Sequence, residues 1–587
     1  MNNINPITKL DYPDPDVIRV GDTYYMVSTT MYFMPGCEIL RSYDLVNWEH
    51  AAYVYDTLDG TAAQRLEGKE NIYGCGMWAA SLRFYKGVYY ICFVANDMHK
   101  TYIYQAKDIY GPWEKYTLEG FYHDNSILFD DDGKIYIVYG NTDIYLKELK
   151  FVERGSDETY MHLTDLGTNP AKLILSDKNE VYLGYEGSHF YKINGKYYIF
   201  LIHMPKSTGR RTEAVFVADK PEGPYYGKDV MDDDRGYRNS GVAQGGIVDT
   251  PSGKWYGILF QDSGAVGRIP CLMPLSWGKI ATAEGKEACF PVFGADGKIP
   301  EEFEIEDLKP GYEYAPLVSS DDFKTDFSGT TSSSFGFKPC WQFNHEPDLS
   351  LVKRDLKKGT VTITTDKISS NLVQAQNTLT QRTLFPGCEA GVTVDASGIK
   401  DGDYAGLCLL ESNYGFIAVT KRDSSYYLVM GKRELETKDI WGERCDDKPF
   451  EEVECIPLDS SVVTLYAGVC FDSVTVQRSE YSSLIPNADD TVSFFYVSKS
   501  EHPEQVKKLG SDHKLEFKLD HFTGARFGLF IYSTKEIGGS VRFSDFIYRS
   551  ENNVSSLTDS LTGILNSAMD TEQAREERLR EKYEITE

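Results

Sequence analysis

VIRVGDTYYMVS, at residues 17–28, is two β-rich runs joined by a short turn carrying a glycine, and the same pattern returns four more times. It reads LRFYKGVYYICF at 82–93, ILFDDDGKIYIVYG at 127–140, HFYKINGKYYIFLI at 189–202 and GIVDTPSGKWYGILF at 246–260. Each copy is a hairpin signal, with an aromatic-rich second strand. Its anchors are Tyr25, Tyr90, Tyr136, Tyr198 and Tyr256, spaced by 65, 46, 62 and 58 residues. Such a period fits blades of four short strands, so the fold class is all-β, opening with a five-bladed β-propeller over residues 1–300. An outer half repeats as well: RSYDLVNWE (41–49), QAKDIYGPWE (105–114) and VADKPEGPYY (217–226), with closure expected near PLSWGKI at 274–280. Helical periodicity is scarce here.

Eleven or twelve residues before each anchor stand Asp14, Trp78, Asp124, Glu186 and Gln244. These positions are equivalent in the repeat, at the start of the innermost strand of each blade. Innermost strands line a propeller axis, so the five residues are expected to ring one mouth of the channel. Single acidic residues are common in a chain with 89 Asp and Glu. Three acids at five equivalent inward positions are different, because they repel one another and cost stability, a cost that functional sites tolerate. The loop after each second strand returns to the same mouth: STTMYFMPG (28–36), VANDMHK (94–100), YGNTD (139–143), IHMPKSTG (202–209) and FQDSGAVGR (260–268). These loops offer Tyr32, Phe33, Asn96, His203 and Arg268. Aromatic faces beside carboxylates and polar donors suit a sugar.

The chain has 587 residues and a net charge of −28. So acidic a surface is repelled by nucleic acid and by anionic membranes, and leaves a neutral ligand, such as the small oligosaccharide expected as partner from the mouth residues, open. The first residues, MNNINPITKLDYPDPD, lack a basic stretch followed by an apolar core, and no run of 18 apolar residues occurs. The 11 cysteines have no paired spacing. The expectation is free thiols in a cytoplasmic protein, with oligomeric state, a homo-oligomer included, left open. No CxxC or HExxH supports zinc, GCGMWA (74–79) opens a strand and not a helix, FDDDGK (129–134) lacks calcium-loop spacing, and no GK[ST] marks a P-loop.

Taken in order, NPITKLDYPDPDVIRVGDTYYMV, MWAASLRF, HDNSILFDDDGKIYIVYG, YEGSHFYKINGKYYIF and GGIVDTPSGKWYGILFQDSGAVGRIP resemble glycoside hydrolase family 43. The resemblance extends to about residue 550. It implies a five-bladed propeller, followed in several members by a concanavalin-like β-sandwich, and β-xylosidase, α-L-arabinofuranosidase or arabinanase activity with inversion. Carried over residue by residue, Asp14 matches the general base, Asp124 the modulating carboxylate and Glu186 the general acid. Arg268 matches an arginine contacting sugar and carboxylates, and Trp78 an active-site aromatic. Glu186 is expected to carry a raised pKa. Many relatives have a histidine on blade five where this chain has Gln244, so no cofactor is expected and a channel calcium is unsupported.

Residues 301–318, EEFEIEDLKPGYEYAPLV, read as a linker. From 319 to 549 short strands recur with turn signals and no catalytic constellation, which suggests the β-sandwich. Within it, LDHFTGARFGL (519–529) matches a loop that reaches the propeller mouth in relatives, with Phe522 as its lid residue. Residues 550–587 are charged and read as a helical or disordered tail.

The function expected is an inverting exo-glycosidase of xylan-derived oligosaccharides, releasing β-D-xylose, α-L-arabinofuranose or both. The alternatives are an arabinan-degrading glycosidase and a sugar-binding propeller without catalysis. A fructosidase is disfavoured because its Asn-Asp-Pro and Arg-Asp-Pro signatures are absent and Glu-Cys occurs only at Glu454–Cys455.

Overall fold

The computed structural model describes residues 4–153, 161–165, 167, 169–281, 287–329, 333–434, 444–477, 484–498 and 506–550. The tail 551–587 lies outside the described residues. Each repeated hairpin becomes the inner half of a four-stranded antiparallel blade. In blade one, Asp16–Val20 pairs with Thr23–Val27, and Gly36–Ser42 and Glu49–Tyr55 follow outward. Blade two runs Met77–Tyr85, Val88–Ala95, Lys100–Ala106 and Glu114–Leu118. Blade three runs Ser126–Phe129, Ile135–Asn141, Asp143–Glu153 and Met161–Asp165, with Lys172–Ser176 pairing the start of its third strand. Blade four is Val181–Ile193, Lys196–Pro205, Thr212–Ala218 and Tyr226–Met231. In blade five, Val242–Asp249, Trp255–Asp262 and Arg268–Ala281 precede a fourth strand, Glu287–Phe293. The motif PLSWGKI is therefore the third strand of the last blade and not its end.

Ring closure is made by the inner strands. The Gly246 N–H donates to the Pro15 carbonyl at 3.0 Å, and Arg19 meets Asp249 at 2.8 Å. At the axis, Asp16 is wholly buried and joins three blades. One oxygen accepts from Leu82 N and Arg83, the other from His189 at 3.2 Å. A buried carboxylate tolerates that position only when so partnered.

The second half is a sandwich of two antiparallel sheets. One contains Gln342–Asn344, Leu379–Arg382, Arg526–Ser533, Asp403–Leu410, Gly415–Arg422, Ser425–Lys432 and Glu451–Leu458 in spatial order. Its edge is completed by a propeller strand, Phe33–Met34, paired with Phe343 and Asn344. The facing sheet holds Val352–Asp355, Thr360–Thr364, Ser540–Ser550, Gly387–Asp395, Val462–Cys470, Thr491–Ser498 and Lys507–Lys514.

The two domains share one apolar core, which places Leu10, Tyr12 and Trp48 with Trp341, Phe343 and Phe527. Buried Arg382 crosses the junction to Glu38 at 2.7 Å and lies over the Tyr12 ring. Burial alone would raise the Glu38 carboxyl, but Arg382 and His50 hold it down at about 2. Segment 301–318 is extended and packed against blades one and five: Leu308 N donates to Tyr43 O, Ala315 N to Glu49, and Tyr256 to Glu304 O.

Candidate active site

All five repeat-equivalent residues stand where the inner strands are distorted. Asp14, Asp124 and Gln244 have left-handed backbones, with φ of 53°, 47° and 55°. Bulges interrupt pairing between Trp78 and Ser81, on both sides of Glu186, and between Ala243 and Gly245. Such conformations cost about 1–3 kcal/mol each in non-glycine residues and cluster at functional sites. Asp14 and Asp124 precede their strands by two residues. Trp78, Glu186 and Gln244 lie inside theirs, where the bulge re-aims the side chain.

On one wall, buried Asp14 accepts from Arg268 Nη1 at 2.9 Å and from Thr29 Oγ1 at 2.6 Å. Thr29 also receives the Ala79 N–H, so the turn before blade one is tied to the bulge at Trp78. Arg268 is 3% exposed, and its Nε and Nη2 have no protein partner. The guanidinium is flanked by Phe260 at 5.3 Å and Phe522 at 4.3 Å. A second guanidinium, Arg211, lies 5.2 Å from the same Phe260 and pairs with Asp262 at 2.6 Å. Burial opposes its charge, and Asp262, with Glu186 and Asp14 behind it, outweighs that cost.

On the other wall, Asp124 accepts the Gly187 N–H at 3.0 Å, and Glu186 accepts from Asn141. His123 Nε2 lies 3.5 Å from Glu186 and 3.8 Å from Asp124. Burial is the main cause that pushes Asp124 up to about 7; Glu186 and Asp14 add to it, and His123 opposes it. His123 is raised too, by its carboxylates: burial disfavours its charge, but Asp124, Glu186 and Asp14 outweigh that and raise it to about 9. Asp124 therefore holds a proton close to neutrality, with the Glu186 carboxyl beside it.

Trp78 and Phe522 bridge the walls, edge to face at 5.6 Å. Phe522, expected as the lid, comes from the sandwich and sits half-buried on Arg268. Its loop is held by Asp11, one oxygen on the Arg268 N–H at 2.8 Å and the other on the Gly524 N–H at 2.9 Å. Ala525 N donates to Ala265 O. Gln244 contacts the chain beside Glu186 so closely that a Cβ on Gly187 would fall 2.6 Å from its side chain.

Three expected contacts are corrected. His203 is fully buried between Asp177 and Asp229, at 2.9 and 3.1 Å, because its strand continues to Pro205 and keeps it in the ladder opposite Thr212. Tyr32 and Phe33 are buried by the sandwich: Tyr32 bonds Thr523 and stacks on His345, and Phe33 lies under Arg526 at 3.4 Å. Asn96 is half-buried beside the blade-two entry, its N–H on Gly76 O. Sequence reasoning missed Thr29, His123, Asn141, Arg211 and Asp11. Thr29 and Asn141 lie in the mouth loops, and His123 adjoins Asp124 in HDNS.

A family model, glycosyl hydrolases family 43, matches residues 4–279, and one for the β-xylosidase C-terminal concanavalin A-like domain matches 326–549. The chain belongs to glycoside hydrolase family 43. It is 27% identical to a "Beta-xylosidase" of Formosa agariphila, over 93% of this chain and 90% of the relative. A "Xylosidase/arabinosidase" of Butyrivibrio fibrisolvens is 28% identical over 55% of this chain and 62% of its own. A bifunctional GH43-CE protein of Bacteroides eggerthii superposes with a TM-score of 0.77 at 38% identity, covering 93% of this chain, which spans 64% of that protein's length.

The family's channel calcium does not fit these residues. Asp16 is already paired with Arg83, and its other oxygen accepts from His189, so neither oxygen is open to an ion. Among the described residues, His123, Asp124 and Glu186 are the group of potential ligands close enough to share an ion.

Proposed function

We propose that this family 43 hydrolase releases single pentoses, β-D-xylose or α-L-arabinofuranose, from the ends of xylan-derived oligosaccharides with inversion. The observation that carries it is the chemical asymmetry of the two walls. Inversion needs one carboxyl that gives a proton to the leaving oxygen and an opposite carboxylate that takes one from water. Asp14, oriented by Arg268 and Thr29, keeps free acceptor capacity and serves as the base. Glu186 stands on the other wall beside Asp124 and His123, and serves as the acid. Asn141 fixes its orientation, with His123 3.5 Å away. Arg268 still has two donors free for sugar hydroxyls.

End-on attack follows from the lid, since Phe522, Trp78 and Arg268 close the pocket over the base. The named activities of the relatives above agree with this substrate class. Xylose and arabinofuranose present similar hydroxyls, which supports dual specificity. A cytoplasmic location is in keeping with the described cysteines, all unpaired and mostly buried. The test is incubation with nitrophenyl β-D-xyloside, nitrophenyl α-L-arabinofuranoside and xylohexaose, with the product anomer followed by proton NMR. Stepwise pentose release as the inverted anomer is expected. Early xylotriose, or a retained anomer, would reject the reading.

A further inference from the structure

Beyond Glu186 a line of rings leaves the pocket. Trp78 lies 6.1 Å from His123, and His123 lies 6.4 Å from Phe121, the latter pair within 20° of parallel. Phe121 in turn stacks on His99 at 4.2 Å and 11°. Exposure increases along it: His123 and Phe121 are half-buried and His99 is exposed. His99 sits in the tight turn closing Ala95 onto Lys100 with φ of 50°, which fixes its ring on the blade-two rim.

We propose that the His99–Phe121 stack is a platform for a sugar ring of the departing oligosaccharide. The inference rests on the hydrolase reading above and gives the leaving group its direction. The acid must touch the oxygen between the terminal pentose and the rest of the chain. Asp14 and Arg268 stand on the far wall with the terminal unit, so the remainder passes over Glu186, toward His123 and the stacked pair. A half-exposed aromatic stack leaves apolar faces in water, and sugar C–H surfaces cover such faces favourably. The pair touches none of the catalytic carboxylates, and so acts on substrate length rather than on the chemical step.

The experiment compares wild type with Phe121→Ala, His99→Ala and Phe121→Tyr, using the nitrophenyl glycoside and the tetrasaccharide of whichever pentose wild type releases. Expected is a fall of about two- to tenfold in tetrasaccharide kcat/KM for both alanine variants, carried by KM. The nitrophenyl substrate should be nearly spared, and Phe121→Tyr should retain tetrasaccharide activity because it keeps the face. Unchanged tetrasaccharide kinetics would overturn the platform, as would equal losses on both substrates, which would mark rim packing only. If wild type releases no pentose at all, the hydrolase reading fails separately. Calorimetric binding of xylotetraose to wild type and Phe121→Ala then decides, and equal affinity overturns the platform.

Discussion

The two walls of the mouth carry the same kind of group and treat it in opposite ways. Asp14 faces a guanidinium and a hydroxyl. Asp124 and Glu186 face each other, a histidine and an amide, in a setting whose main effect on Asp124 is desolvation. Position in the repeat delivers carboxyls to one place, while their neighbours give each a different setting, which the proposed mechanism reads as base and acid. The largest break in the comparison comes from deleting each. Asp14→Ala and Glu186→Ala should each lower turnover of an unactivated xylo-oligosaccharide by about 10²–10⁴-fold. Nitrophenyl xyloside separates them: its good leaving group needs little protonation, so Glu186→Ala should lose much less on it and Asp14→Ala should not. Near-native activity of either variant on the oligosaccharide would reject the assignment.

Next in size is the contribution of the sandwich to the base wall. A chain ending at residue 318 would lose Phe522 from Arg268 and Gly524 from Asp11. It would also take Arg382 from Glu38, strip the partner from Phe33–Met34 and bare the propeller side of the shared apolar core. A contiguous apolar face left in water drives association. The truncated propeller is therefore expected to aggregate, and a soluble product with full activity would refute the shared core. Phe522→Ala in the full chain gives the gentler measurement. It should fold, and should lose kcat/KM on nitrophenyl xyloside through the pocket alone.

How much of this was legible in sequence depends on which constraint acted. The hairpin repeat carried the blades and the carboxylates, because inner strands obey a period that chemistry cannot alter without breaking the ring. The mouth loops obey no period. His203 was expected in a loop, yet two more residues of strand pairing kept it inside. Tyr32 and Phe33 sit in a loop that does reach the right end, but a strand from 310 residues later claims their faces, a partnership no local pattern reveals. Thr29, three residues before Tyr32, keeps the contact to Asp14 because it turns toward the axis. Arg211 and Asp11 act through long-range partners, Asp262 and Gly524, and left no local signal.

A smaller effect should sharpen the acid wall. The raised Asp124 pKa means the folded state binds this proton more tightly than the unfolded chain, so stability falls as pH rises from about 4 to about 7 and then levels. Asp124→Asn removes that cost. Its Tm relative to wild type should therefore be higher at pH 8 than at pH 4, while turnover falls. Its pH–rate profile should also change, the basic limb moving to lower pH once a neighbouring negative charge is gone. A Tm difference independent of pH, together with an unmoved limb, would mean that Asp124 holds no such proton.

The smallest expected effect is that of chelation, and it bears on both walls at once. An axial ion would supply positive charge between them, the role that protein cations already fill here. Asp16 is paired with Arg83 at 2.7 Å and with His189 at 3.2 Å. Asp14 is paired with Arg268, and His123 serves Asp124 and Glu186. The Gln244 side chain lies against Gly187, and its backbone N–H donates to Glu213 at 2.8 Å. Excess EDTA should therefore leave kcat/KM on nitrophenyl xyloside and the Tm unchanged. Loss in EDTA with recovery on added calcium would mean that an ion, and not these cations, balances the carboxylates. In that case Gln244→His should tighten the calcium response. If the cations suffice, the same substitution should leave activity insensitive to calcium.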